Sequence, residues 1–125
     1  MNTSSIADSV MCPESGELVL RIHRAALATD PQELEFLRSW TTEQFRSPLK
    51  STGDWSVLHV QLPMVRYLNS LGLSFFYRLA PELQRHRRRL RISIAADGVL
   101  RVARFCRFHE FADLQSLNPR KVSGT

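Results

Sequence analysis

Val57-Leu58-His59-Val60-Gln61-Leu62, followed by residues 63–68 and then Asn69-Ser70-Leu71-Gly72-Leu73, is the stretch from which the fold is read. The first six residues are rich in β-formers and apolar on both faces in the middle. That predicts a strand inside a sheet rather than at its edge. Pro63 cannot donate to a ladder and ends the strand. A helix then runs from Gly72 to about Arg88, with Leu73, Phe76, Tyr77, Ala80 and Leu83 on one apolar stripe. Pro81 lies inside that stripe, removes one helical hydrogen bond and is expected to kink the helix.

Upstream, Leu18-Val19-Leu20-Arg21-Ile22-His23 reads as a strand. The turn signal Pro13-Glu14-Ser15-Gly16 joins it to a weaker arm at residues 6–12. Asp30, Pro31 and Glu33 form a helix start: a capping side chain, a proline suited to the first turn, and a Glu three residues on. Leu34, Leu37, Trp40 or Thr41, and Phe45 follow at helical spacing, and Ser47-Pro48 ends the helix. Ser51-Thr52-Gly53-Asp54 reads as a loop. Downstream, Leu90-Arg91-Ile92-Ser93-Ile94 is a further strand. Asp97 is expected to cap a third helix with Val99, Val102, Ala103 and Cys106 on one face. Residues 109–114 give a last short strand. Strands alternating with helices predict one α/β domain: a mixed, largely parallel sheet of about four to five strands, flanked by about three to four helices. Its expected limits are residues 16–116. Residues 1–15 are an N-terminal segment or first strand, and residues 117–125 a tail.

The net charge of +5 is unevenly spread. Residues 1–54 hold eight acids and five bases, whereas residues 85–107 hold eight Arg and only Asp97. The basicity therefore belongs to one region, centred on Arg85, Arg87, Arg88, Arg89 and Arg91. Cations at a helix end complement its dipole and are usually solvated. An acidic partner or an anionic membrane surface is the functional alternative. Nucleic acid is disfavoured, because no aromatic interleaving or reading motif accompanies the arginines. Cys12 and Cys106 are far apart, and His23, His59, His86 and His109 are scattered, so no metal-ligand spacing occurs and no cofactor is expected. Two isolated cysteines fit a reducing compartment. With no signal-peptide pattern and no apolar run long enough to span a bilayer, the cytoplasm is the expected location.

Ser70 is expected at or near the N-cap of its helix, where its hydroxyl can accept a backbone N–H. The positive end of the helix dipole tolerates an added phosphate there. Phosphorylation would bring about −1.5 to −2 charges and switch a protein–protein surface. Asn69, Leu71 and Gly72 belong to the same start. Phe75, on a different stripe from Phe76, is a candidate anchor for a partner. Pairing Ser70 with His59 or His23 as a nucleophile would need an orienting acid, and none is evident in the sequence.

These residues carry a resemblance. Residues 18–114 resemble the STAS domain family, the fold of bacterial anti-sigma factor antagonists. The likeness centres on Val57-Leu58-His59-Val60-Gln61-Leu62 with Val65-Arg66-Tyr67-Leu68-Asn69-Ser70-Leu71-Gly72-Leu73. It extends to Arg87-Arg88-Arg89-Leu90-Arg91-Ile92 and to Val99-Leu100-Arg101-Val102-Ala103-Arg104-Phe105. It implies that Ser70 matches the family's phosphoacceptor. It also implies that the partner is a kinase-type anti-sigma factor and that the protein has no catalytic residue of its own. A subunit of a membrane-associated lipid-transport ATPase is the family's other implied role. Three positions depart from the family pattern by losing an acid: Asn69, Gln61, and Ala28 in Ala25-Ala26-Leu27-Ala28.

Overall fold

An antiparallel hairpin begins the sheet. Strand β1, Ala7–Cys12, pairs with β2, Glu17–Ile22, so that Ala7 faces Ile22 and Cys12 faces Glu17. The turn between them needs a left-handed residue, and Gly16 supplies it at φ +69°. The Gly16 carbonyl then accepts from the backbone N–H groups of Ser56 and Val57, which starts the next pairing. This computed structural model describes residues 7–12, 14–27, 30–46 and 55–117. The expectations for Ile6, Pro13, Ala28, residues 47–54 and residues 118–125 lie outside them.

Helix α1, Pro31–Arg46, leads to β3, Val57–Leu62, and α2, Ser70–Arg85, leads to β4, Arg89–Ile94. Helix α3, Asp97–Phe105, and a short 3-10 turn at Phe108–Glu110 lead to β5, Asp113–Ser116. The sheet has five strands in the order β1-β2-β3-β4-β5, and every pairing after the hairpin is parallel. Among the described residues the result is a mixed α/β sheet with three helices, as the alternation of elements predicts.

Register explains the core. Leu18, Leu58 and Leu90 stand in one row across β2, β3 and β4, and Leu20, Val60 and Ile92 form the next. Leu62 and Ile94 extend the same face. The helices place Leu37, Phe75, Phe76, Leu79, Leu83, Val99 and Ala103 in one cluster with these rows. All three helices thus cover one face of the sheet. The other face carries Asp8, Glu17, Arg21, His59, Gln61, Arg91, Ser93, Asp113 and Gln115, because side chains alternate along each strand.

Local chemistry sets the helix starts. The Glu33 backbone N–H donates to Asp30 Oδ1 at 2.9 Å, as expected of a capping residue. Asp97 does not cap α3. Ala96 holds that position with no side-chain hydrogen bond, and Asp97 is the first helical residue, where its charge favours the dipole. Val102 turns out to solvent instead of joining Val99 and Ala103. The last strand lies at 113–116 instead of 109–114, because Phe108 is buried and the chain turns around it. Helix α2 continues through Pro81, which sits on the exposed side.

Candidate functional site

The start of α2 lies where the β2–α1 and β3–α2 loops meet, at the carboxyl end of the parallel strands. In open α/β sheets that is the edge where binding residues collect. The two loops are tied by a 2.7 Å hydrogen bond from the Arg66 N–H to the Ala25 carbonyl.

Asn69, not Ser70, is the N-cap. Its backbone is extended, at φ −96° and ψ 177°, and its Oδ1 accepts from the Gly72 N–H at 2.8 Å. Both residue types cap well, so the sequence alone does not choose between adjacent ones. The helix therefore begins two residues earlier than the sequence predicts. Ser70 becomes its first residue, exposed to solvent, with its hydroxyl released from capping duty.

Gly72 is buried for a steric reason. A Cβ there would stand 3.0 Å from the Leu27 Cβ and 3.3 Å from Asn69 Oδ1. The missing side chain lets α2 approach the β2–α1 loop closely. Gly72→Ala is expected to lose about 1–2 kcal/mol of stability by overpacking, measured by urea unfolding. A stabilising Ala, as helix propensity alone would give, contradicts this account.

The candidate partner residues separate. Leu71 is half-buried, while Met64 and Tyr67 in the β3–α2 loop are exposed, at 57% and 54%. Phe75 is not an anchor, since it is only 1% exposed and packs edge-on against Phe76 at 5.5 Å between ring centres. The loop that leads into Ser70 thus exposes two apolar side chains, Met64 and Tyr67. The first turn of α2 contains no acid. Gln61 accepts from Arg21 Nε at 3.1 Å, on the sheet face away from the helices.

The arginine run is divided among local partners. Arg85 pairs with Glu82, Arg89 with Asp113 at 3.1 Å, and Arg91 with both Glu17 and Asp113. Arg88 lies over the Trp55 ring, 3.9 Å from its centre. Arg87 takes the left-handed conformation at φ 59° that closes α2. There the Arg88 N–H reaches the Leu83 carbonyl and the Arg87 N–H that of Gln84, the pattern of a Schellman turn. These residues terminate a helix and stitch the sheet.

On the face opposite these helices a hydrogen-bonded chain crosses four strands. His59 Nδ1 is 3.3 Å from Glu17 Oε1, and Nε2 is 2.6 Å from Ser93 Oγ. Gln115 Nε2 donates to the same Ser93 oxygen at 2.9 Å. An ionised carboxylate only accepts, so the neutral ring carries its proton on Nδ1 and Nε2 accepts from the Ser93 hydroxyl. Burial lowers the His59 pKa, with Arg91 adding to the effect, while the hydrogen bond and charge of Glu17 oppose it. The acid–His–Ser order is that of an acyl-transfer relay, and Glu17 is an orienting acid that the sequence did not reveal. Ser93 is fully buried, however, so no substrate carbonyl can approach it. Ser70 is not among the hydrogen-bonding partners of His59 or His23. No group of His, Cys, Asp and Glu suited to a metal occurs among the described residues. No described helix is long and apolar enough to cross a membrane. Neither the protein-family models nor the curated proteins give a match to this chain.

Proposed function

We propose that the protein is a cytoplasmic, non-catalytic regulatory module of the STAS type. It engages a protein partner through Ser70, Asn69, Leu71 and the flanking Met64 and Tyr67. The observation that carries this reading is the placement of Ser70. It is exposed on the first turn of α2, after a loop that exposes Met64 and Tyr67, on a backbone fixed by the Asn69 cap and the Gly72–Leu27 contact. A rigid start lets a partner bind without ordering the loop first. The partner is a kinase-type anti-sigma factor that phosphorylates Ser70. The phosphate is held at the positive end of α2 and disrupts the apolar contact beside it by desolvation.

The test compares wild-type and Ser70→Asp baits in pulldowns from the protein's own cells. A histidine-kinase-like ATPase captured by the wild type and lost from Ser70→Asp is the expected result. A transporter ATPase recovered with both baits overturns partner switching, as does recovery of neither. One observation favours the transporter subunit as a second reading: the first turn of α2 lacks acids that a kinase could recognise.

A further inference from the structure

Helix α3 turns Val99 and Ala103 inward and leaves Arg101, Val102, Arg104 and Phe105 in solvent. Phe105 is 89% exposed and Val102 44%. Residues three and four apart are neighbours on a helix, so Phe105 stands between Val102 and Arg101, and Arg104 lies next to Arg101. Tyr77, 47% exposed, adds an aromatic ring, because its hydroxyl donates to the Cys106 carbonyl at 3.1 Å. A lone exposed apolar residue is ordinary, but Val102 and Phe105, one turn apart on the helix and set among arginines, form a small patch.

The charge here differs from that of residues 85–91. Arg101 and Arg104 make no ion pair with the described residues, whereas Arg85, Arg89 and Arg91 all do. Arg107 and Glu110 are 3.9 Å apart, and both are exposed, so that pair is weak. Positive charge that is spent elsewhere on folding is here left available.

We propose that this face of α3 binds an anionic lipid surface. Phe105 and Val102 enter the headgroup boundary while Arg101, Arg104 and Arg107 meet lipid phosphates and carboxylates. Shape favours lipid over protein. The face is the outer side of a nine-residue helix and exposes only two large apolar side chains, Val102 and Phe105. A stable protein interface needs about 800 Å² on each partner. A bilayer needs only small apolar anchors and cations close to its surface. Such binding is reversible and screened by salt.

The full chain is tested by co-sedimentation with phosphatidylcholine vesicles, with and without about 30% phosphatidylserine, at low and high salt. Binding is expected only with phosphatidylserine and is expected to weaken as salt rises. Arg101→Gln with Arg104→Gln should weaken it on the order of tenfold or more, since each cation contributes about fivefold. Phe105→Ser should weaken it severalfold at both salt concentrations. These side chains are exposed, and unchanged circular dichroism and urea midpoints will verify that the variants fold. Absence of sedimentation with anionic vesicles overturns the proposal, as does binding indifferent to Phe105→Ser. Capture by polyglutamate with no vesicle binding also overturns it and assigns the face to an acidic protein.

Discussion

Phe75→Ala is expected to lower the unfolding free energy by about 3–5 kcal/mol, the usual cost of removing a buried phenyl ring. Domains of this size are stable by only about 5–15 kcal/mol, so the variant should sit close to its folding threshold. The reason lies in the position of the ring. Phe75 is 1% exposed, meets Phe76 edge-on and floors the groove between α1 and α2 beside Thr41 and Leu79. Urea unfolding gives the number. Met64→Ala, at an exposed position in the loop before α2, should stay within about 0.5 kcal/mol of wild type. An interface anchor would behave the opposite way, leaving stability untouched and removing the partner. A Phe75→Ala protein as stable as wild type would return Phe75 to the surface.

The second large effect is a loss of stability in mild acid, carried by His59. Its pKa is lowered from 6.5 in the folded state, chiefly by burial. The unfolded chain therefore binds a proton near pH 6.5 while the folded chain still holds the neutral ring. The unfolded state then carries more protons, and stability rises with pH through that window. The contribution is fully present above pH 6.5 and is lost as the pH falls toward the folded pKa. For a single proton the slope reaches at most about 1.4 kcal/mol per pH unit. Protonation also places a second cation beside Arg91, and the Ser93 hydroxyl must reverse its hydrogen bond. Urea midpoints taken from pH 8 down to pH 5 should fall for wild type below pH 6.5. In His59→Gln the decline over that range should shrink. Equal decline in both proteins would assign the acid sensitivity to other groups.

The alternation that defines the fold was legible because the central strands repeat every two residues and α1 announces its start. Asp30 and Pro31 mark α1, and Leu58, Val60 and Leu62 mark the core face of β3. Helix α2 was harder. Its first half is apolar on nearly every side: Leu71, Leu73, Phe75, Phe76, Tyr77 and Leu79. Periodicity cannot choose a face from such a run. The helix meets the sheet on one side and α1 on another, so Phe75 and Leu79 are buried while Tyr77 is left outside. At the candidate site the sequence placed the helix cap within one residue, at Ser70 where the structure has Asn69. The exposure of Met64 and Tyr67 was not legible, because a short link between two elements carries no periodic signal. The Glu17–His59–Ser93–Gln115 chain was invisible for a different reason. Its members are 42, 34 and 22 positions apart, and only strand register brings them together.

The strand order β1-β2-β3-β4-β5 bears on how the chain is made. Each strand docks against the one synthesised just before it, so no early segment must wait for a distant late one. On the ribosome, the hairpin, α1 and β3 can gather while residues beyond 62 are still being added. The growing edge is then always the newest strand, and it stays open until the next one arrives. That leaves the exposed edge of β3, and later of β4, as the place where a nascent chain is most open to pairing with another copy. The final strand is short and bears Asp113 and Gln115, so the growing edge ends as a poor template for further addition, while β1 stays at the opposite edge from the start.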